Sequence, residues 1–100
     1  MLAKFKFPNE IAKEIALKEK LKRKKNKLTQ AELSARAGVS LASLKRFEQT
    51  GEISFVSLLK LAAVLDELDD FEMLFTSDTY ESIQEVIDER HSTSRRKISR

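Results

Sequence analysis

The feature that most constrains this chain is a glycine between two short helical patterns, in the stretch QAELSARAGVSLASLKRFEQ (Gln30–Gln49). The 100-residue chain contains only two glycines, Gly38 and Gly51. Gly38 follows the first helical pattern, and glycine adopts the left-handed conformation that ends a helix without a steric penalty. Because only a few residues join the two patterns, the sequence predicts two helices that meet at a sharp corner.

The two sides of this corner differ in chemistry. Its apolar residues share the inner side and are Leu33, Ala37, Val39, Leu44 and Phe47. The outer side of the second helix has small residues near its start and cations farther along, a shape that suits the major groove of DNA. That outer side consists of Leu41, Ala42, Ser43, Lys45, Arg46 and Gln49.

Capping residues predict where the central helices begin. Thr29 and Glu32 form the capping-box pattern that starts the second of five predicted helices. Ser40 and Ser54 are of the residue type that caps a helix, and they precede the third and fourth. Gly51 is expected to end the third helix in a left-handed conformation.

Helices are also expected on both sides of this region. Asn9 is a candidate cap for a first helix that ends in the run KRKKNK, residues 22–27. Asp66 is the expected start of a fifth helix, whose inward side chains would be Leu68, Phe71 and Phe75. The segment IQEVIDE, residues 83–89, can form a short helix, whereas HSTSRRKISR, residues 91–100, is typical of a disordered basic tail.

The predicted fold is therefore all-α. It has a five-helix domain at residues 9–75, an N-terminal arm at residues 1–8, and a C-terminal tail at residues 76–100 that is first acidic and then basic. Within the arm, Leu2, Phe5 and Phe7 alternate loosely with lysines. They could belong to the core, to a strand at a dimer interface or to a flexible arm, and the sequence does not separate these alternatives.

Charge is segregated along the chain. Residues 1–27 carry ten Lys or Arg against three Glu, and residues 65–89 carry ten Asp or Glu and no Lys or Arg. This separation suggests one side that faces a polyanion and another that is acidic, although solvated helix faces would give the same pattern. We interpret the acidic run at residues 66–72 as favouring a helix N-terminus and solvation rather than a metal ion.

Several classes of function find no support in the sequence. Cysteine is absent, which excludes disulfides and thiolate metal sites. We find no glycine-rich phosphate loop and no histidine near a nucleophile, so we expect neither an enzyme nor a bound cofactor or metal. No apolar run approaches the roughly 20 residues that cross a bilayer. We expect a cytoplasmic protein associated with the nucleoid.

The stretch resembles the helix-turn-helix of phage-repressor, Cro and XRE-type regulators. The matching residues are Leu28-Thr29-Gln30, Glu32-Leu33, Gly38-Val39-Ser40 and Glu48. The resemblance covers about residues 11–75 and implies a repressor-like domain that binds double-stranded DNA. The chain departs from the family at Ser34, where alanine is preferred, and at Thr50, where Gly51 serves a shifted turn.

The resemblance implies a role for each matching residue. The residues expected to touch DNA in or beside the groove are Gln30, Ser40, Leu41, Ala42, Ser43, Lys45, Arg46 and Gln49. Phosphate contacts are expected from Lys22, Lys24 and Lys27, unless these lysines form only a solvated face. The structural residues are Gly38, Leu33, Leu44, Phe47, and Glu48 with its partner. That partner is Arg23 by unchanged spacing, or Lys25 if the loop holds an insertion.

A narrower resemblance is to HipB-type antitoxins. It rests on GVSLASLKRFEQTGEIS, the segment LLKLAAVLDELDDFEMLF and the basic tail. It implies a homodimer that represses its own operon and contacts a HipA-like kinase toxin. Two alternatives stay open: a protein-interaction module that mainly sequesters a toxin, and a prophage or restriction-modification controller without a toxin.

Overall fold

The computed structural model describes residues 6–76 and 84–91, and every regular element in these ranges is a helix. The helices are α1 (Pro8–Lys25), α2 (Gln30–Ala37), α3 (Leu41–Thr50), α4 (Phe55–Val64) and α5 (Leu68–Glu72), and residues 84–91 are also helical. The all-α prediction is confirmed, as is the short helix within IQEVIDE. Leu2 and Phe5 of the arm, and the tail from residue 92 onward, lie outside the described residues.

The chain divides into two compact units, residues 1–68 and residues 69–100. The first unit contains α1 to α4, and the second contains most of α5 and the helix at residues 84–91. The domain limits expected at residues 9 and 75 stay predictions. The corner between α2 and α3, and the outer side of α3 with Lys45 and Arg46, lie within the first unit.

The core of the first unit forms on the inner side of the corner. Leu33 of α2, with Leu44 and Phe47 of α3, is fully buried together with Leu61 of α4. Val39, in the turn, is also buried, and Ala37 packs against the cluster from a partly buried position. The predicted inner side is therefore the observed core. Burying a side chain such as Leu or Phe contributes about 1.5–3 kcal/mol, which makes this cluster the main force holding α2, α3 and α4 together.

The predicted caps at α2, α3 and α4 are confirmed. The Thr29 hydroxyl accepts from the Glu32 N–H at 3.0 Å, and the Glu32 carboxylate accepts from the Thr29 N–H at 2.8 Å. Ser40 and Ser54 each accept, at 3.1 Å, from the backbone N–H three residues later. These bonds satisfy backbone donors that the first turn of a helix leaves unpaired.

The predicted cap at Asn9 is wrong, because α1 begins at Pro8 and Asn9 lies inside the helix. Proline suits the first helical position, since it has no N–H to satisfy and its φ angle is already helical. Phe7 therefore occupies the cap position, and its N–H donates to the Glu10 carboxylate at 2.8 Å.

The prediction for α5 is also wrong in its start and its inward residues. The helix begins at Leu68, because Asp66 has a left-handed φ of 60° and belongs to the end of α4. The Glu67 N–H donates to the Ala62 carbonyl at 2.8 Å, which closes that end. Phe75 lies beyond the short helix, has a φ of 63° and is fully exposed rather than inward.

Candidate nucleic-acid interface

Both glycines adopt the predicted left-handed conformation, but they are constrained differently. Gly38 has a φ of 71°, and a Cβ atom there would meet nothing within 4 Å. Gly51 has a φ of 84°, and a Cβ atom there would lie 2.9 Å from the Ala12 carbonyl carbon and 3.0 Å from the Lys13 nitrogen. Gly38 is thus needed for its backbone angle alone, whereas Gly51 also lets α3 end directly against the backbone of α1. No local pattern in the sequence predicts this second constraint.

The helix α3 presents the predicted outer residues to solvent. Leu41, Ala42, Ser43, Lys45, Arg46 and Gln49 are all exposed, as is the cap Ser40. Leu44 and Phe47 anchor the opposite side of the helix in the core. The result is a rigid helix whose free face carries hydroxyl, amide and cationic groups, the types of donor that reach base edges and phosphates.

A buried ion pair fixes α3 to α1. Arg23 donates from Nε to Oε2 of Glu48 at 2.8 Å and from Nη2 to Oε1 at 2.9 Å. Their side chains are only 7% and 2% exposed. Arg23 Nη1 also donates to the Leu28 carbonyl at 2.9 Å, which ties down the turn between α1 and α2. Glu48 therefore pairs with Arg23, and Lys25 is exposed.

Gln30 joins the same group. Its Nε2 donates to Oε1 of Glu48 at 2.9 Å, and the residue is half-buried at the start of α2. The guanidinium of Arg23 and the carboxylate of Glu48 hold the ends of α1, α2 and α3 in one arrangement. Gln30 is thus placed beside α3, which leaves its predicted contact with DNA possible but restricts the orientation of its amide.

A second carboxyl group, for which the sequence makes no prediction, lies beside this pair. Glu19 of α1 is 8% exposed, and neither of its oxygens accepts a hydrogen bond from the described residues. Burial raises the pKa of Glu19 from 4.5 to about 8, and the Glu48 carboxylate adds to the rise, against the opposing charges of Arg23 and Lys20. Glu19 is therefore mostly protonated at neutral pH. Its four-residue spacing from Arg23 is the only signal in the sequence that could have placed it here.

The two departures from the family pattern have local explanations. Ser34 is buried at the contact where alanine is preferred, and its hydroxyl donates to the Ala31 carbonyl at 3.0 Å. The Thr50 hydroxyl donates to the Arg46 carbonyl at 2.8 Å and accepts from the Glu52 N–H at 3.1 Å. Both polar groups are satisfied within their own segment, so neither weakens the corner.

The predicted phosphate-binding lysines do not share one side. Lys22 lies 3.5 Å from a Glu67 carboxylate oxygen, whereas Lys24 and Lys27 are exposed. Residues two apart on a helix leave it in nearly opposite directions, so Lys22 and Lys24 project from different sides of α1. Lys27 lies beyond the helix with a left-handed φ of 58°.

Arg46, the strongest candidate for reading bases, forms an ion pair with Glu52 across the end of α3. Both side chains are about two-thirds exposed, at 68% and 65%. Exposed pairs of this kind contribute at most about 1 kcal/mol, so Arg46 can leave Glu52 readily for a base or a phosphate.

A comparison with family models identifies the fold that this geometry describes. A helix-turn-helix model of the XRE type matches residues 20–71, which span α2, α3 and α4. The chain belongs to the XRE family of helix-turn-helix proteins. It is therefore a DNA-binding transcriptional regulator of the XRE family. No curated protein and no solved structure shows significant similarity to the chain.

Two further observations concern other kinds of site on this XRE-family regulator. Among residues 6–76 and 84–91, no helix combines the length and apolar character needed to cross a bilayer. Within the same ranges, no three His, Cys, Asp or Glu side chains are grouped so that they could hold a metal ion. The individual DNA contacts assigned to the outer face of α3 and to the lysines stay predictions.

Proposed function

We propose that the protein is a dimeric, sequence-specific transcriptional repressor that places α3 in the major groove of an operator. The observation that carries this proposal is the exposed face of α3, with Lys45 and Arg46 projecting from a helix whose other side is buried. Arg46 would donate to guanine O6 or N7, and Leu41 would pack against a thymine methyl group. Ser40, at the N-terminus of α3, would meet a phosphate.

Phosphate contacts would come from the basic flank between α1 and α2. Lys24 and Lys27 are the favoured residues, because Lys22 already has Glu67 as a partner. These contacts would add affinity that depends on salt but not on sequence. Readout would therefore depend on α3, and general attraction on the two lysines.

Substitution at Arg46 tests the readout role. We expect Arg46→Ala to weaken binding to a selected operator by about 1–3 kcal/mol and to relax one base position. Lys24→Ala should weaken binding to all duplexes alike and reduce the salt dependence. Lys60→Ala, an exposed lysine on α4, is the matched control.

Fluorescence anisotropy with operator and scrambled duplexes would measure these losses. Equal losses for Arg46→Ala on both duplexes would reject the readout role. The Glu52→Gln variant, which removes the carboxylate that competes for Arg46, should bind the operator more tightly than the wild type.

We propose a homodimer because two copies of α3 would then enter successive major grooves of a palindromic site, about 34 Å apart. The second unit exposes three consecutive apolar side chains, Met73, Leu74 and Phe75, which we propose pack against the second copy. Analytical ultracentrifugation of the Leu74→Ser, Phe75→Ser variant tests this surface. A dimer of unchanged stability would reject its role.

We further propose that the operon encodes a HipA-like kinase toxin, for which this protein is the antitoxin. The alternative, a module that mainly sequesters such a toxin, is favoured by the helix at residues 84–91, which exposes Val86 and Ile87. A HipA-like reading frame beside this gene would support the toxin assignment. Co-purification with that kinase after deletion of residues 76–100 would separate the roles, because unchanged complex formation would exclude the tail as the contact.

A further inference from the structure

The side chain of Gln30 is held by a carboxylate that cannot move freely. Both oxygens of Glu48 accept from Arg23, at 2.8 and 2.9 Å, and Oε1 also accepts from Gln30 Nε2 at 2.9 Å. The Arg23 and Glu48 side chains are almost fully buried. The amide group of Gln30 is therefore attached to a fixed point rather than to another mobile surface side chain.

The chemistry of Glu48 determines which end of the amide it holds. Burial opposes ionisation, but hydrogen bonds, chiefly those from Arg23, keep the pKa of Glu48 below its ordinary value. An ionised carboxylate only accepts hydrogen bonds, so it can hold the amide nitrogen of Gln30 but not the amide oxygen. The oxygen Oε1 of Gln30 has no hydrogen-bond partner among the described residues.

The position of this oxygen relates it to the exposed face of α3. Lys45 lies three residues before Glu48 and therefore on the same side of α3. Gln30 reaches Glu48 from the first residue of α2 and is only half-buried. Its amide is thus held on α3 about one helical turn from the exposed Lys45, at the edge of the exposed face.

We propose that Glu48 is a positioning residue that turns the amide oxygen of Gln30 outward, so that Gln30 selects a base with an exocyclic amine. On the contacted strand this base would be adenine, through N6, or cytosine, through N4. The inference rests on the proposed function, since it requires that α3 enter a major groove. It adds a base contact in which Gln30 is the hydrogen-bond acceptor. This role is determined by Glu48, which is buried and does not itself touch DNA.

A base or phosphate that offers an acceptor to the Gln30 oxygen is disfavoured. Guanine and thymine present carbonyl oxygens at this edge, and phosphates present only acceptors. An acceptor placed against the Gln30 oxygen leaves both groups without a donor, which should reduce affinity on the order of tenfold. Adenine has the further advantage that its N7 can accept from the second N–H of the Gln30 amide.

The test is selection from a library of duplexes with about 20 randomised base pairs, long enough for two half-sites. The full-length wild type is compared with Gln30→Ala and Gln30→Arg, and Lys60→Ala serves as the surface control. In Gln30→Arg the guanidinium can still donate to Glu48, but it offers only donors to the base. Both variants keep the two hydrogen bonds between Arg23 and Glu48, and Gln30→Ala removes only the bond from Gln30 to Oε1 of Glu48, so both should fold.

We expect the wild type to select adenine or cytosine at one position in each half-site, by on the order of tenfold. Gln30→Ala should make that position degenerate and leave the others unchanged, and Gln30→Arg should switch it to guanine or thymine. A uniform loss of affinity in Gln30→Ala, or a wild-type preference for guanine or thymine at the affected position, would overturn the inference while leaving the proposed function intact. A wild type that enriches no sequence would instead reject the proposed function, and this inference with it.

Discussion

Replacement of Glu19 by glutamine is expected to stabilise the protein at alkaline pH and to change it little near pH 5. The structural reason is that Glu19 is 8% exposed, lies beside the Glu48 carboxylate and accepts no hydrogen bond from the described residues. Ionisation of Glu19 would place a second negative charge in a buried site that already contains one. Glutamine has nearly the same shape, carries no charge at any pH and can donate to Glu48.

The size of the effect follows from the difference in proton binding. Burial raises the pKa of Glu19 from 4.5 to about 8, so between these values the folded state binds more protons than the unfolded chain. The free energy of unfolding therefore falls as the pH rises through this interval, by at most about 1.4 kcal/mol per pH unit or roughly 5 kcal/mol in total. We expect about 2–4 kcal/mol, because relaxation and water penetration reduce desolvation penalties in real proteins.

Glu48 acts at the other end of the pH range. Its pKa lies below the ordinary value of 4.5 despite its burial, chiefly because Arg23 donates to its carboxylate. The stability that its ionised form contributes is present above pH 4.5 and is lost as the pH falls through the folded pKa. The free energy of unfolding of the wild type should therefore be highest slightly above pH 4.5. It should fall at lower pH because of Glu48 and at higher pH because of Glu19.

Urea unfolding followed by far-UV circular dichroism, at several values between about pH 5 and about pH 9, would measure the difference. The control is Glu14→Gln, the same change at a side chain of α1 that is 45% exposed. The free energy of unfolding of Glu14→Gln should differ from that of the wild type by an amount that stays nearly constant across this pH range. If the free energy of unfolding of the wild type does not fall towards pH 9 relative to Glu19→Gln, the argument for a buried, protonated Glu19 is refuted.

Two further predictions concern residues in the left-handed conformation. Gly38→Ala should destabilise the protein by roughly 1–2 kcal/mol, and Gly51→Ala by more, because only the Cβ at residue 51 would meet the backbone of α1. Equal losses of stability in thermal unfolding would contradict this. Lys27→Gly should raise stability by about 1 kcal/mol, since Lys27 has a φ of 58°, and should weaken binding to all duplexes alike. Lys27→Asn separates the effect of the backbone angle from the effect of the lost charge, because asparagine also lacks the charge but tolerates this angle less well than glycine. If Lys27→Asn raises stability as much as Lys27→Gly, backbone strain at residue 27 is not the cause.

The sequence predicted those parts of the fold that depend on local chemistry. The capping box at Thr29 and Glu32, the serine caps and the left-handed glycines each need only a few neighbouring residues, and all are confirmed. The buried side of the corner followed from helical periodicity for the same reason. Whether Arg23 or Lys25 pairs with Glu48 depends on the length of the loop between α1 and α2, which the spacing of residues alone left open.

Other features depend on contacts between distant segments and could not be predicted from the sequence. The burial of Glu19 and the close approach of Gly51 to Ala12 arise where α1 and α3 pack, and no local pattern encodes that distance. The length of α5 was overestimated because its apolar spacing continues past the point where the backbone leaves the helical conformation. The DNA contacts follow only from exposure and chemistry, so they stay predictions.

The three nitrogen atoms of the Arg23 guanidinium have a consequence for how this protein opens. They reach Glu48 of α3 and the carbonyl of Leu28, and Glu48 in turn holds Gln30 of α2. Separating α1 from α3 leaves two buried charges without their partners, and detaching α2 removes the hydrogen bond from Gln30 to the same pair, so partial opening is unfavourable. Amide protons in the middle of α1, α2 and α3 should consequently exchange with deuterium as one cooperative group, and α3 should meet DNA already rigid.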